Sequence, residues 1–265
     1  MTEAISPAEI RRASRVSPDI AYGPDPAQAL DLFTPKNRPP DGLVLFMHGG
    51  SWRRGDKTAG RLVGHALAAS GYALASIGYR KLPETEIPGQ AADIATAAAF
   101  LLAGAGGRLH PASRFALAGH SAGGHLAALV ATDPAYLAAS GVAAGALAAV
   151  ITLDGVFDVA TMVAKFPRAA PPEVFGTSPE GWQAVAPIAH LPAMTADPLF
   201  GIMHEDTNRR FIEQATLFCD ALRLAGKRWI RAVAPGMDHG DIMRHYADTG
   251  QPMLTFTQAC LRLAF

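Results

Sequence analysis

Two cysteines in 265 residues, Cys219 and Cys260, are too few and too widely spaced for a disulfide framework or a zinc site. They read as small buried hydrophobes of a reducing compartment. A charge excess is also missing. The 23 basic residues balance 23 acidic ones, so there is no electrostatic case for nucleic acid or a membrane surface as a partner. Charged residues make up only 17% of the chain and hydrophobic ones 49%, which excludes disorder and supplies a sizeable core. No apolar run follows Arg11, Arg12 and Arg15, so the N-terminus lacks the layout of a secretory signal and the expected location is cytoplasmic. The uncharged stretch from Ala135 to Leu153 is mostly alanine, broken by Ser140, Gly141 and Gly145. It reads as a surface turn leading into a buried strand, not as a membrane span.

No repeat, low-complexity linker or shift of composition divides the chain, and one domain over residues 1–265 is expected. Short β-rich runs alternate with alanine-rich helical runs. Strands are expected at Gly42 to Met47, Tyr72 to Ile77, Arg114 to Ala118, Ala148 to Leu153, Pro198 to Met203 and Arg228 to Val233. Helices are expected at Thr58 to Ser70, Gln90 to Ala103, Ala122 to Thr132, Asn208 to Ala225 and Met253 to Leu263. Runs such as LVLFM and FALA are apolar on successive residues and need cover on both faces, which means crossover helices on a mostly parallel sheet, an α/β fold. The exception is residues 154–197, where Pro171, Pro172, Pro179, Pro187 and Pro192 punctuate Phe157, Phe166, Phe175 and Trp182. An irregular insert with that many aromatics must pack against something, and a cap over the C-terminal edge of the sheet is the functional expectation.

Chemistry concentrates in SRFALAGHSAGGHLAALVAT, where Gly119, His120, Ser121, Ala122 and Gly123 spell G-x-S-x-G between a strand and a helix. A sharp strand-to-helix turn brings the backbone on either side of its central residue close together, and the two glycines remove the side chains that would collide. Ser121 then stands clear at a helix start, where the backbone NH of Ala122 is placed to donate to a developing oxyanion. A second segment, LVLFMHGGSWRRGD, sets His48, Gly49, Gly50, Ser51 and Trp52 directly after a buried strand. The NH groups of Gly49 and Gly50 supply the other half of an oxyanion hole. His48 reads as a hydrogen-bonding residue that shapes the loop.

Serine needs a histidine to take its proton and a carboxylate to orient that histidine. Of His204, His239 and His245, the sequence favours His239, in the loop VAPGMDHGD after the strand RWIRAV. For the carboxylate the sequence favours Asp206, just past a strand end, with Glu205 as its substitute. Asp154 and Asp158 read as anchors of the insert, and Asp238 and Asp241 as too close to His239 in sequence.

With these motifs in place, the chain resembles the α/β-hydrolase fold. Within that fold it is similar to the kynurenine formamidase-like and carboxylesterase-like proteins that carry HGGxW and GxSxG. The resemblance runs from Asp19 to Asp241 through HGGSW, GYRKLPE, the helix with Asp93, GHSAGGH, LDGVFD, HEDT and GMDHGD. It implies a catalytic triad of Ser121, Asp206 and His239, with Gly49, Gly50 and Ala122 as oxyanion donors. Hormone-sensitive-lipase-like enzymes usually carry a third glycine where this chain has Ser51, which favours the formamidase-like branch.

The expected activity is hydrolysis of short-acyl esters or aryl formamides through an acyl-enzyme, with a small molecule as substrate and no cofactor. Trp52 is expected to crowd the acyl side and, with Phe157, Phe175 and Trp182, to line the substrate site. His110, His120 and His125 lack acidic partners at metal-ligand spacing, so no metal site is expected. Arg53 and Arg54 are either solvated or hold a substrate carboxylate. The rival readings are a catalytically silent binding or scaffold protein of the same fold, and a longer-chain lipase-like esterase. The oligomeric state is not legible in the sequence.

Overall fold

Four runs, LVLFM, ALASI, FALAGH and LAAVITL, are buried at every position, so the strands they form must be covered on both faces. The computed structural model describes residues 11–248 and 251–265. The described strands form one sheet. They are β1 (Ser14–Ala21), β2 (Ala29–Pro35), β3 (Leu43–Met47), β4 (Ala73–Ile77), β5 (Phe115–His120), β6 (Leu147–Leu153), β7 (Leu199–Glu205) and β8 (Trp229–Ala234). Their spatial order is β1-β2-β4-β3-β5-β6-β7-β8. β1 and β2 are antiparallel additions at one edge, and the sheet is parallel from β4 to β8.

The described α-helices are α1 (Arg61–Ala69), α2 (Ile87–Leu102), α3 (Ala122–Thr132), α4 (Pro134–Ala139), α5 (Val159–Lys165), α6 (Pro172–Phe175), α7 (Pro179–Ala184), α8 (Pro187–His190), α9 (Arg209–Leu224), α10 (Asp241–Arg244) and α11 (Pro252–Ala264). Strand alternation divides the core into two layers. Leu45, Met47, Leu117 and Val150 pack with Ile94 of α2, Leu126 of α3 and Phe218 of α9. Val44, Phe46, Ala116 and Ile151 pack with Leu67 of α1 and Leu261 of α11. Each large aliphatic side chain so buried contributes about 1.5–3 kcal/mol, so Leu45→Ala, which also leaves a cavity, is expected to cost about 2–5 kcal/mol. Among the described residues no helix is long and apolar enough to cross a membrane.

Two parts differ from the sequence reading. β1 and β2 were not expected, and residues 154–197 hold four short helices where an irregular insert was expected. Three of those helices, α6, α7 and α8, have proline in their first turn, a position that needs no NH donor and is preset in φ for a helix. The prolines that look like breakers are therefore helix starts. Helix α4 also occupies part of the stretch read as a turn, capped by Asp133, whose side chain accepts from Ala135 NH.

Candidate active site

The site lies at the C-terminal ends of β3, β5 and β6, where the parallel strands run out into loops. Between β5 and α3, Ser121 sits at φ 56° and ψ −120°, a conformation that non-glycine residues rarely adopt. The turn is closed so tightly that a Cβ at Gly119 would collide with the Gly123 carbonyl, and one at Gly123 with the Met47 carbonyl. The bend is held by Ser121 NH donating to Leu153 O at 2.9 Å and His125 NH donating to Ser121 O at 3.0 Å.

The Ser121 hydroxyl lies 2.9 Å from Nε2 of His239, and Nδ1 of His239 lies 2.7 Å from Oδ2 of Asp154. A carboxylate only accepts, so Nδ1 carries the proton and Nε2 is the acceptor for the serine. Asp154 replaces Asp206 as the partner of His239, and this corrects the expectation from sequence. Asp154 follows β6, next to β5 in the sheet, at φ 50° and with its side chain fully buried. Its Oδ1 accepts from Glu205 NH at 2.9 Å, which fixes the carboxylate between the end of β7 and the imidazole. Asp206 lies beyond the end of β7, exposed, and its Oδ1 accepts from Gly236 NH at 2.9 Å. Glu205 is buried and takes the Thr207 hydroxyl. Asp158 caps α5 by accepting from Thr161 NH, in keeping with a role in the insert. Asp238 accepts from Gly240 and Asp241 NH, bonds that hold its carboxyl below the usual range.

The other two histidines of the sequence reading are occupied elsewhere. His204 Nε2 accepts from Arg231 Nε at 2.9 Å, and His245 pairs with Asp248 at 2.6 Å. His239 is instead clamped from two sides. Phe211 of α9 stacks on its ring at 4.3 Å and 14°, and the His120 ring lies 4.4 Å away. His120 Nε2 donates to the His239 carbonyl at 3.0 Å, and burial, followed by repulsion from His239, pushes the His120 pKa down to about 3. Neither Phe211 nor this use of His120 was found from sequence, since both contacts join residues far apart in the chain.

The loop after β3 is wound through the left-handed region, with Gly50 at φ 129°, Ser51 at 53° and Trp52 at 60°. Left-handed backbone at Ser51 and Trp52 costs on the order of 1–3 kcal/mol each and must be held by contacts. Arg53 and Arg54 NH both turn back onto Gly50 O, at 3.1 and 2.9 Å. The Trp52 indole NH donates to His125 Nδ1 at 3.1 Å, and Phe175 meets the indole edge-on at 4.8 Å. His125 Nε2 donates to Val185 O at 2.7 Å, and burial lowers its pKa to about 4, so it stays neutral and able to accept from Trp52. His48 donates from Nδ1 to Gly49 O at 2.7 Å and stacks on Tyr79 at 4.5 Å, while Tyr79 OH donates to His48 O at 2.8 Å. Burial takes the His48 pKa down to about 4, as suits a residue that shapes the loop. A Cβ at Gly49 would lie 3.1 Å from Cβ of Ser121, so this loop runs directly beside Ser121. Among the described residues the NH groups of Gly49, Gly50 and Ala122 donate to no protein acceptor, as oxyanion donors require.

The four aromatics expected around a substrate separate. Trp52 lines a cavity of about 470 Å³, and Phe175 is buried behind it. Phe157 is 1% exposed and stacked at 4.2 Å on Phe218, so it belongs to the core and not to a substrate surface. Trp182 spends its indole NH on Gly176 O inside its own segment. A second, polar cleft of about 640 Å³ borders His239, with Glu205, Asn208, Arg209 and Arg244 on its walls. His120, Asp154 and His239 also offer ligand atoms within 4.8 Å of one another. Both nitrogens of His239 and Nε2 of His120 are already engaged in hydrogen bonds, an arrangement that fits proton transfer better than metal ligation.

Fold and site together define an α/β hydrolase. The BD-FAE family model matches residues 30–222, more than half of the chain, and the chain belongs to that family. It is 31% identical over 248 residues to the esterase LipC of Mycobacterium tuberculosis, an alignment covering 87% of this chain and 61% of LipC. The chain thus spans about three fifths of that relative's length. It is 24% identical over 235 residues to the kynurenine formamidase of Drosophila melanogaster, covering 86% of this chain and 76% of that protein. Among solved structures, esterase B of Lactobacillus rhamnosis superposes with a TM-score of 0.81 at 21% identity, over 96% of this chain and 85% of that one, a likeness of fold.

Proposed function

We propose that this protein is a serine hydrolase that cleaves short-acyl carboxylic esters or aryl formamides through an acyl-enzyme. The observation that carries the reading is the unbroken relay from Asp154 through His239 to Ser121, with bonds of 2.7 and 2.9 Å, set beside uncommitted NH groups. In the first half-reaction Ser121 Oγ bonds to the carbonyl carbon while His239 Nε2 takes its proton. The negative charge gathers on the carbonyl oxygen, opposite the NH groups of Ala122, Gly49 and Gly50. The bond to the alcohol or amine then breaks, and His239 returns the proton to that leaving group. In the second half-reaction a water adds to the acyl carbon and gives its proton to His239. The carboxylic acid departs and Ser121 regains its hydrogen. Asp154 keeps the proton on Nδ1 throughout and stabilises the imidazolium.

The esterase and formamidase relatives support this class of reaction, and Trp52, two positions past Gly50, supports a short acyl group. A fluorophosphonate should label the wild-type protein on Ser121 and leave Ser121→Ala unlabelled. Hydrolysis of phenyl acetate by that variant should fall by ~10³-fold or more, since the oxyanion hole alone retains only part of the acceleration. Labelling elsewhere, or undiminished turnover in Ser121→Ala, overturns the mechanism.

A further inference from the structure

The chain carries no net charge, yet one cavity along the loop after β3 gathers four guanidinium groups. Arg53 and Arg54 come from the loop after β3, Arg168 from the segment after α5 and Arg210 from the first turn of α9. They line the cavity of about 470 Å³ whose wall includes Ser51 and Trp52. Within 4 Å, among the described residues, only Arg53 has a carboxylate partner, Glu173 at 3.5 Å, and both members of that pair are well exposed. Arg54, Arg168 and Arg210 make no ion pair there.

Arg210 is the most constrained of the four. Its guanidinium lies 4.2 Å over the ring of Phe211, and its Nε is buried with no hydrogen-bond partner. Burial pulls its pKa down, opposed by the charges of Asp154 and Glu205. Phe211 itself stacks on His239, so the cavity's innermost cation sits one ring away from the general base. Arg53, Arg54 and Arg168 are exposed and Arg210 is half-buried, and guanidinium groups converging on one cavity offer charge-assisted hydrogen bonds to an oxyanion. Guanidinium groups from three segments suit a carboxylate or phosphate, which accept in-plane bonds from several donors.

We propose that this cavity is an anion subsite, and that the enzyme acts on esters or amides whose acyl or leaving group carries a carboxylate or phosphate. This rests on the serine-hydrolase reading and narrows its substrate class. Charge-assisted hydrogen bonds strengthen binding by roughly tenfold or more each, so the anionic member of an otherwise matched substrate pair should win by at least that factor.

Matched pairs test it. 3-Acetoxybenzoate is compared with its methyl ester, mono-4-nitrophenyl succinate with 4-nitrophenyl butyrate, and acetoxyphenyl phosphate with phenyl acetate. Each kcat/KM is divided by the compound's alkaline hydrolysis rate. At least one anionic member is expected to exceed its neutral partner ~10-fold, mainly through KM, and the winning pair tells which group the cavity takes and on which side of the scissile bond. The advantage should shrink several-fold between about 0.05 and 0.5 M KCl. Arg168→Met and Arg210→Met should each bring the ratio toward one. Arg223→Met serves as the control, being paired with Asp220 at the far end of α9, about 20 Å along the helix from Arg210. If Arg210→Met fails to fold, Arg168→Met alone decides. Ratios at or below one in all three pairs, or a ratio unchanged by the cavity variants, overturn the subsite while a fluorophosphonate-reactive Ser121 keeps the hydrolase reading intact. An unreactive Ser121 with no turnover of any ester overturns both.

Discussion

The C-terminal ends of β6 and β7 lie side by side, and each is followed by an aspartate. After β6 the chain turns at once through the left-handed region, and Asp154 is fully buried with one oxygen on Glu205 NH and the other on His239. After β7 the strand carries on to Glu205, and Asp206 emerges into solvent to hold the Gly236 turn. Position past a strand end puts both carboxylates on the same face of the molecule. Burial and a second, fixed hydrogen bond distinguish an orienting carboxylate from one that only ties a loop. The fixed oxygen matters because an imidazole held in one tautomer needs an acceptor that does not swing away.

The largest effect that sharpens this comparison is expected at Asp154. In Asp154→Asn the amide oxygen can still accept from Glu205 NH, so the fold should persist. The amide NH2 then faces Nδ1, which must give up its proton, leaving Nε2 protonated and unable to take the Ser121 hydrogen. We expect kcat to fall by about 10³- to 10⁴-fold with KM nearly unchanged. A loss below about tenfold would return the orienting role to another carboxylate.

The sequence made much of this arrangement legible, for identifiable reasons. LVLFM, FALA and the G-x-S-x-G turn show their burial and geometry in composition, because a two-sided strand has no polar face and a closed turn tolerates no Cβ. His239 was legible as the histidine in the loop after the strand that precedes α10. Asp154 was visible as a residue but not as a direction: the left-handed turn that aims it at His239 leaves no mark in residue type. β1 was hidden because it is an edge strand, mostly exposed, with Pro18 inside it, a residue that sheets accept at an edge. The arginine cavity was hidden because its members lie on three separated segments, and only the Arg53–Arg54 pair is adjacent in sequence.

Acid sensitivity tests the same contrast between a buried and an exposed strand end. His48, His120 and His125 are buried around the ends of β3 and β5, with pKa values lowered to about 4, about 3 and about 4, burial being the leading cause for each. In the unfolded chain these histidines titrate near 6.5, so as pH falls from 7 to 5 the unfolded state takes up protons that the native state refuses. Stability is therefore fully present above about pH 7 and declines as pH falls toward the native values, by up to about 1.4 kcal/mol per pH unit for each histidine. Urea midpoints should drop steadily between pH 7 and 5, and His120→Gln should flatten the slope by about a third of the three-histidine total. A midpoint that does not move over this range would mean that the histidines are protonated in the native state, and with them the hydrogen-bond directions at Trp52 and His239 would change.

The smallest effect belongs to Asp206, and its smallness is what the comparison requires. Asp206→Asn keeps an oxygen that can accept from Gly236 NH, removes a charge that is already in solvent, and touches neither His239 nor Ser121. Surface changes of this kind alter stability by no more than about 0.5 kcal/mol. Turnover of phenyl acetate should stay within about threefold of the wild type, because loss of an exposed charge near a site changes its field only weakly at ordinary ionic strength. Measured beside Asp154→Asn under the same conditions, the two variants should differ by at least about two orders of magnitude in kcat. A tenfold or larger loss in Asp206→Asn, with folding intact, would show that the β7 end contributes to the imidazole's orientation and that burial alone does not pick the orienting carboxylate.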